Sequence, residues 1–403
     1  MSVAPTGGLA ELLREAGAED PSLCYQCKRC SSSCPTATAM DMPPSKMMRL
    51  AQLGLADRLI DDASIWRCLG CDSCTQACPY DVSVRKLVEI LRQKVVQEYW
   101  LAGKRELFAA NEVLSRGMGA LELMSGRIKE HRNVSGEDNA NRLAWTDNLP
   151  ERPEGIDRRR GSETLYFVGC VSAMYPMSYA IPQNFAGVLQ KSRVAFTTLG
   201  SREWCCGFPL LMAGQLEQAR EFMAHNVAEV EALEARRVVM TCPSCHYMWK
   251  NVYPKYLGRS LDFEVMTASE LLHACAKQGR LQFSDSGRSG VVTYHDPCDL
   301  GRKGGRFEEP RDTIRQVPGF TFVEMANNRT HALCCGGGGD LETFESALTA
   351  EVAARRIAQA AAAGADHLVS ACPQCVRTLT KAAKAAKQRI RVMDIVQFVN
   401  AAI

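Results

Sequence analysis

The 403-residue chain is predicted to fold as an α-helical domain followed by a duplicated, pseudo-symmetric α/β domain. Three observations predict this. Eighteen of the 19 cysteines fall into two kinds of repeated cluster, one kind before residue 80 and the other after residue 163. The second kind repeats with an offset of 128 to 130 residues, which indicates an internal duplication. In that later part, apolar runs that end at cysteines alternate with helical patterns, as in α/β proteins.

The first kind of cluster has the cysteine spacing of bacterial proteins that bind two [4Fe-4S] clusters. The run C-x2-C-x2-C-x3-C-P begins at Cys24 and again at Cys68. In that spacing three thiolates surround one cubane, and the cysteine before the proline reaches the other. The predicted ligands are Cys24, Cys27, Cys30 and Cys78 for the first cubane, and Cys68, Cys71, Cys74 and Cys34 for the second. Zinc sites or disulfides are the alternative, but tetrahedral zinc needs neither the triplet nor its repetition.

The second kind of cluster is a five-cysteine set: a single cysteine, an adjacent pair followed by glycine, and a C-x2-C pair. Its first copy is Cys170, Cys205, Cys206, Cys242 and Cys245, and its second copy is Cys298, Cys334, Cys335, Cys372 and Cys375. Adjacent side chains diverge, and five thiolates exceed the needs of a cubane, so a less regular metal core is indicated. The run Gly336 to Gly339 would let the backbone approach that core closely. A flexible loop or a phosphate cradle is the alternative, although the Lys-Ser/Thr of a P-loop is missing.

The sequence around these cysteines predicts parallel strands and helices. TLYFVGC is mirrored by VVTYHDPC, and RVVMTCPSC is mirrored by HLVSACPQC. Short runs rich in Val, Phe, Tyr and Leu are typical of buried parallel strands. Helical periodicity follows over Gly214 to Arg236 and over Phe344 to Ala363. Ligands of such sheets bind at the carboxyl ends of the strands, where we expect the thiolates to gather.

Shifts in composition give the predicted domain boundaries. The domains are residues 1–104 with two cubanes, a connector at 105–162, the first cysteine-rich repeat at 163–290, and the second at 291–403. Helices are expected near Leu9 to Ala16, Lys46 to Leu53 and Val84 to Tyr99. In the polar connector, Glu106 to Ile128 carries an apolar stripe that could contact a membrane or a partner, or pack on its own domain. Cys275 is expected to be a structural thiol.

Polar residues beside the second kind of cluster are candidates for chemistry. Three histidines, each one to three residues from a cysteine, could donate a proton to a departing thiolate or hydrogen-bond a cluster sulfide: His246, His295 and His331. A capping or core role is the alternative for each. Arg302 and Lys303 could neutralise an anionic thiol substrate, or could be exposed loop charges.

Composition and charge limit the partners and the location. A formal net charge of +3 is nearly balanced, so no nucleic-acid partner is predicted. No apolar run approaches the roughly 18 residues that cross a bilayer, and the N-terminus lacks a signal-peptide pattern. Cysteines in cluster spacing favour a reducing compartment. We therefore expect a cytoplasmic location, with docking to a membrane subunit through protein contacts as an option.

At these residues the chain resembles the ferredoxin and catalytic subunits of heterodisulfide reductase, joined in one polypeptide. CYQCKRCSSSCP through IWRCLGCDSCTQACP is similar to the electron-input subunit, and both five-cysteine sets match the CCG domain of the catalytic subunit. The resemblance implies an α-helical ferredoxin domain with two [4Fe-4S] cubanes, then a duplicated α/β CCG domain with one noncubane [4Fe-4S] cluster on each set. In that family, the two noncubane clusters clamp a disulfide, and each delivers one electron to one sulfur.

The resemblance implies two functions. The first is an oxidoreductase subunit of a larger complex that passes electrons between a flavoprotein or other redox partner and a disulfide/thiol couple. The alternative is a non-catalytic relay to quinone or another acceptor, as in glycolate, lactate or glycerol-3-phosphate dehydrogenases and anaerobic aromatic-degradation complexes. Fold analogy does not separate these functions. The intactness of both five-cysteine sets favours the disulfide chemistry. A structural zinc-binding subunit is a third, weaker interpretation.

Overall fold

The computed structural model describes residues 7–15 and 17–403, with side chains from residue 11 onward. The described chain divides into two compact units. The first unit comprises the chain up to Ser125 and two later segments, Pro209–Leu216 and Leu333–Ala353. The second unit comprises Gly126–Phe208, Glu217–Ala332 and Ala354–Ile403. Of the two later segments in the first unit, one follows the first adjacent cysteine pair and the other contains the second pair.

The N-terminal part of the first unit is built from short helices. These are α1 (Gly7–Glu15), α2 (Arg29–Ser33), α3 (Pro44–Gln52), α4 (Ser73–Gln76) and α5 (Val84–Val95). The Ser83 hydroxyl caps α5 by accepting a hydrogen bond from the Lys86 N–H. A π-helical turn, Val96–Trp100, extends α5. Helices α1, α3 and α5 confirm the three predicted helices, except that Ala16 lies outside the described residues.

Helix α6 (Glu112–His131) lies in the segment predicted as a connector. Its apolar side chains Leu114, Met118 and Leu121 are buried. Within the first unit, α6 approaches Phe344 so closely that a Cβ on Gly117 would lie 2.2 Å from that ring. The apolar stripe therefore packs inside the protein, which is the second of the two roles considered for it.

The remaining helices cover the sheets or follow the cysteine pairs. They are α7 (Cys170–Met174), α8 (Ala180–Lys191), α9 (Phe208–Met212), α10 (Leu216–Ala232), α11 (Pro243–Tyr247), α12 (Tyr253–Leu257), α13 (Ala268–Lys277), α14 (Glu308–Arg315), α15 (Leu341–Phe344), α16 (Ser346–Ala362), α17 (Pro373–Ala385) and α18 (Ile395–Asn400). Helices α10 and α16 confirm the two stretches of predicted helical periodicity.

Two parallel four-stranded sheets form in the described part of the second unit. The strands are β1 (Thr164–Phe167), β2 (Phe196–Thr197), β3 (Arg237–Met240), β4 (Glu264–Thr267), β5 (Gly290–His295), β6 (Phe320–Phe322), β7 (His367–Ser370) and β8 (Arg391–Asp394). The strand orders are β2-β1-β3-β4 and β6-β5-β7-β8, and all pairings are parallel. The second sheet repeats the topology of the first, which fits a duplicated α/β fold.

The predicted strands are the central ones of both sheets. β1 leads into Cys170, β3 into Cys242, β5 into Cys298 and β7 into Cys372. An apolar core of the second unit includes buried side chains from all four strands, and Cys275 of α13 lies in it with 2% of its surface exposed. This burial agrees with a structural role for Cys275. Within the described residues, no helix has both the length and the apolar character that crossing a membrane requires.

Candidate iron-sulfur sites

A cavity in the first unit has among its lining residues the four cysteines predicted to hold the second cubane, Cys34, Cys68, Cys71 and Cys74. Cys34 belongs to the first cysteine run in the sequence, yet its thiol interacts electrostatically with those of Cys71 and Cys68. Burial raises the pKa of the Cys34 thiol to about 12. A bare thiolate is therefore disfavoured here, whereas a metal would hold it as a thiolate. The donor set and the cavity fit a cubane.

The predicted ligands of the first cubane lie closer to the surface. Cys27 is exposed, and Cys24, Cys30 and Cys78 are half-buried. The Tyr25 hydroxyl forms a hydrogen bond with the Cys27 sulfur. The Tyr25 ring packs edge-on against Tyr80, two residues after Cys78, with ring centroids 5.4 Å apart. This contact brings the loop of the first run together with the end of the second.

The two cysteine runs share a local backbone conformation. Gln26 and Gly70 occupy equivalent places, with φ of 64° and 61°. Lys28 and Asp72 are also equivalent, with φ of 64° and 63°, and each precedes a short helix. Non-glycine residues seldom adopt this left-handed conformation. Both runs therefore wrap in the same way, as two similar cluster loops would.

In the second unit, the thiols of the five cysteines in the first copy form a chain in which each thiol influences the pKa of its neighbour. The contacts join Cys170 to Cys205, Cys205 to Cys206, Cys206 to Cys245, and Cys245 to Cys242. Hydrogen bonds from Cys205 and then Cys245 lower the pKa of Cys206 to about 6. A Cβ on Gly169 would lie 3.4 Å from the Cys245 sulfur, so glycine permits a close backbone approach. The five sulfurs converge as the ligands of one metal core would.

The chain of thiols continues into the second copy. Cys242 hydrogen-bonds both Cys245 and Cys372, and these contacts hold the pKa of Cys242 well below its usual value. Cys242 follows β3 and Cys372 follows β7, which are equivalent positions in the two sheets. The Cys375 N–H donates to the Cys372 sulfur over 3.5 Å. The two copies therefore meet at corresponding cysteines.

The other cysteines of the second copy lie in both units. Cys298 is in the second unit, with its sulfur 3.9 Å from Asp299 Oδ1. Cys334 and Cys335 are buried in the first unit, where the Gly337 N–H lies 3.5 Å from the Cys335 sulfur as a hydrogen-bond donor. Each unit thus contains part of the second set.

The three candidate histidines have different surroundings. His246 is buried 3.9 Å from Glu270, and burial lowers the pKa of its ring to about 4. His295 is buried, and a nitrogen of its ring lies within 4.8 Å of the Cys375 sulfur. Its Nδ1 accepts a hydrogen bond from Arg356, so a neutral ring carries its proton on Nε2. His331 is exposed. His295 therefore lies beside a candidate ligand.

Arg302 and Lys303, the two cationic candidates, form structural contacts and are not exposed loop charges. Lys303 is buried with its Nζ 2.6 Å from Asp299 Oδ1, and Arg302 donates to the Ala332 carbonyl over 2.7 Å. Asp299 also accepts a hydrogen bond from Ser244 Oγ over 2.5 Å. Ser244 lies inside the C-x2-C pair of the first copy, and Asp299 follows Cys298. This polar group therefore joins the two copies, and the charge of Lys303 is already balanced.

One residue beside the first copy could not be predicted from the sequence patterns. Arg142, in the predicted connector, is buried and donates to the Cys170 sulfur over 3.2 Å. It also forms a 2.5 Å ion pair with the buried Glu203, which accepts hydrogen bonds from the N–H groups of Val168 and Gly169. A fixed cation thus touches the first cysteine of the set. Such a hydrogen bond to a ligand sulfur is one means by which proteins tune iron-sulfur clusters.

Gly339 provides a test of how closely the glycine run approaches the second cysteine run. Its φ is +60°, and an added Cβ would lie 2.4 Å from the Cys68 carbonyl oxygen. We expect Gly339→Ala to lower the free energy of unfolding by about 1–2 kcal/mol through backbone strain and about 1–3 kcal/mol more through the clash. Gly258→Ala is the matched control, because its φ is +68° and it has open space. Equal losses in denaturant unfolding would contradict the close approach.

Comparison with protein families matches a cysteine-rich domain, CCG, at residues 164–250 and again at 292–380. A 4Fe-4S dicluster domain matches residues 23–83. These matches cover both kinds of cysteine cluster. They show iron-sulfur binding domains in the order that the spacing predicts.

Comparison with individual proteins gives relatives over nearly the whole chain. The chain is 30% identical to one subunit of the dihydromethanophenazine:CoB--CoM heterodisulfide reductase of Methanosarcina acetivorans, over 94% of this chain and 93% of that protein. It is 28% identical to the probable iron-sulfur-binding oxidoreductase FadF of Bacillus subtilis, over 91% and 49%. It is 24% identical to the EtfAB:quinone oxidoreductase of Syntrophomonas wolfei, over 84% and 46%. The first of these matches is long and similar enough to fix the family.

Proposed function

The chain belongs to the heterodisulfide reductase family and is an iron-sulfur electron-transfer subunit of an oxidoreductase, and we propose that it exchanges electrons between a redox partner and a disulfide/thiol couple. The interaction between the thiols of Cys242 and Cys372 carries this proposal, because it places one five-cysteine set against the other. Reduction of a disulfide to two thiols consumes two electrons and two protons. Two adjacent one-electron sites suit that stoichiometry.

We assign four clusters to the cysteines. The first [4Fe-4S] cubane is assigned to Cys24, Cys27, Cys30 and Cys78, and the second cubane is assigned to Cys68, Cys71, Cys74 and Cys34. The first noncubane [4Fe-4S] cluster is assigned to Cys170, Cys205, Cys206, Cys242 and Cys245. The second noncubane cluster is assigned to Cys298, Cys334, Cys335, Cys372 and Cys375. The four-cysteine cavity and the thiol chain support this assignment. Such clusters, when bound, supply one-electron transfer and iron sites for sulfur. The family matches fall inside our proposed domains at 1–104, 163–290 and 291–403, with 105–162 between them.

Exposure supports an order for the electron path. Cys27 and Tyr25 are exposed, whereas Cys71 is buried. We therefore place the docking site of a flavoprotein or other redox subunit at the loop of Tyr25 and Cys27. Gly339 follows the adjacent cysteine pair of the second copy and lies close to Cys68. We therefore propose that the cluster bound by Cys68 transfers electrons to the second copy. Cysteines in cluster spacing need a reducing compartment, which keeps the cytoplasm as our proposed location.

Relay to a quinone is the second candidate function. It is favoured by the similarity to a protein named EtfAB:quinone oxidoreductase, of which this chain spans 46%. In a pure relay, the two five-cysteine sets would carry electrons or form the quinone-docking surface without binding a thiol. No thiol or disulfide would then bind between the two five-cysteine sets, where Cys242 contacts Cys372.

Thiol binding to the oxidised protein separates these two functions. We expect the EPR signal of anaerobically purified, chemically oxidised protein to change when thiols are titrated in, because iron held at the paired sets would bind thiolate sulfur. Cys372→Ala should abolish this change, and Cys275→Ala should retain it because Cys275 lies in the apolar core. A wild-type protein that gives no thiol-dependent signal but passes electrons to a quinone would sink the disulfide proposal and establish the relay.

A further inference from the structure

Arg92 of α5 is a buried arginine of the first unit. It is 2% exposed, and its five N–H groups all donate to backbone carbonyls. The acceptors and distances are Ile65 at 3.0 Å, Trp66 at 3.1 Å, Cys68 at 2.7 Å, Met212 at 3.0 Å and Gly339 at 3.1 Å. All five N–H donors of the guanidinium are therefore used, and none of them donates to a carboxylate.

The positive charge of Arg92 has no ion-pair partner among the described residues. The acids that influence it electrostatically are Asp340 and Glu89. Burial raises the pKa of Asp340 to about 8 although Arg92 lowers it, so burial favours the neutral acid. Glu89 is already paired with Arg85 at 2.6 Å. A buried charge without a counter-charge is strongly unfavourable, so an anion is expected nearby.

The cavity beside Arg92 is where such an anion would sit. Arg92 binds the carbonyl of Cys68, and Cys68 lines the cavity together with Cys34, Cys71 and Cys74. A four-iron cluster held by four thiolates is anionic and gains a further negative charge when it is reduced. A fixed cation at this place favours the reduced state, since charge and hydrogen bonding set cluster potentials.

We propose that Arg92 is the internal counter-ion of the cluster at Cys34, Cys68, Cys71 and Cys74, and that its charge raises the reduction potential of this cluster. Arg92 is a positioning residue, because it touches the backbone of a ligand and not the reacting atoms. The same guanidinium binds Met212 and Gly339, which follow the cysteine pairs of the two copies. It therefore holds both following loops beside the cluster that it tunes.

This inference rests on the cubane assignment in the proposed function and is independent of whether the final acceptor is a disulfide or a quinone. An iron count tests the cubane assignment, thiol titration tests the acceptor, and cluster potential tests Arg92. The three can therefore fail separately.

EPR-monitored redox titration of the full-length, cluster-loaded protein tests the role of Arg92. We expect Arg92→Gln to lower the potential of the Cys68 cluster, so that the ratio of reduced to oxidised cluster at the wild-type midpoint falls about tenfold, equivalent to about 59 mV. Arg92→Lys keeps the charge and should remain near the wild-type potential although it loses hydrogen bonds. Lys94→Gln is the control, because it removes an exposed charge from the same helix, paired with Asp57.

Each outcome decides the matter. If Arg92→Gln loses the cluster while Arg92→Lys retains it, cluster retention follows the charge and the proposal stands. Wild-type potentials in both variants, or equal shifts in both, would overturn it. Equal loss of iron from both variants would also overturn it, because Arg92 would then act by packing alone.

Discussion

Arg142→Leu is expected to destabilise the protein by about 3–5 kcal/mol, the cost of leaving one buried member of an ion pair without its partner. Arg142 and Glu203 have side chains 1% and 2% exposed, and their closest atoms are 2.5 Å apart. Leucine fills part of the space but leaves the Glu203 carboxylate with only backbone N–H donors. The substitution also removes the hydrogen bond to the Cys170 sulfur. Denaturant unfolding under anaerobic conditions measures the loss.

The pH dependence of this loss identifies its cause. Burial already raises the pKa of Glu203 above its ordinary value of 4.5, and Arg142 lowers it. Without Arg142 the folded-state pKa rises further, so folding takes up a proton from about pH 4.5 upward. A raised folded-state pKa gives stability that is present at low pH and is lost as pH increases through that pKa. The deficit of Arg142→Leu should therefore be small below pH 4.5 and should grow toward neutral pH.

Arg160→Leu is the matched control for the ion pair. Arg160 and Glu234 are 2.7 Å apart, but their side chains are 68% and 62% exposed. Such surface pairs contribute about 0–1 kcal/mol. The double variant Arg142→Leu/Glu203→Gln should recover part of the stability, because no buried charge remains. A loss in Arg142→Leu no larger than in the control, or one that does not change with pH, would refute this account.

Cys206→Ala is expected to remove the noncubane cluster that we propose at the first five-cysteine set, about four irons of about sixteen. Cys206 lies in the middle of the thiol chain, where its thiol interacts with that of Cys205 on one side and that of Cys245 on the other. Cys335→Ala should remove the same amount from the second copy. Each variant should lose disulfide reduction almost completely, because the reaction needs two one-electron sites, while the cubane EPR signals should persist. Cys275→Ala should keep the full iron content.

Iron and sulfide analysis with turnover assays checks this second prediction. If Cys206→Ala retains all its iron, Cys206 is not a ligand. If one of the two variants loses its iron yet still reduces a disulfide at the wild-type rate, a single set is sufficient. Either result would contradict the paired mechanism.

The parts of the fold that follow fixed spacings could be predicted from the sequence. The crossed position of Cys34 follows from the proline-tagged spacing, and the central strands β1, β3, β5 and β7 follow from apolar runs that end at cysteines. Strands β2 and β6 have only two and three residues, so no periodic pattern forms. These edge strands form because each pairs with a longer neighbouring strand. Pairing between distant segments produces no recognisable pattern in the sequence of the short strand itself.

The charged residues near the sites could not be predicted, for a related reason. Arg142 is 28 positions from Cys170, and Arg92 is 24 positions from Cys68. Each is buried only because distant segments enclose it, and an arginine in a polar stretch or on a helix is ordinarily exposed. Lys303 was open to the same interpretation as a loop charge, and it is buried because Asp299 pairs with it.

We propose that all eighteen clustered cysteines hold four four-iron clusters. The iron, zinc and acid-labile sulfide content of the anaerobically purified wild-type chain measures this directly. We expect about sixteen irons and a similar amount of sulfide per chain, with negligible zinc. About eight irons, with zinc or nothing at the five-cysteine sets, would contradict the claim and leave a two-cubane relay.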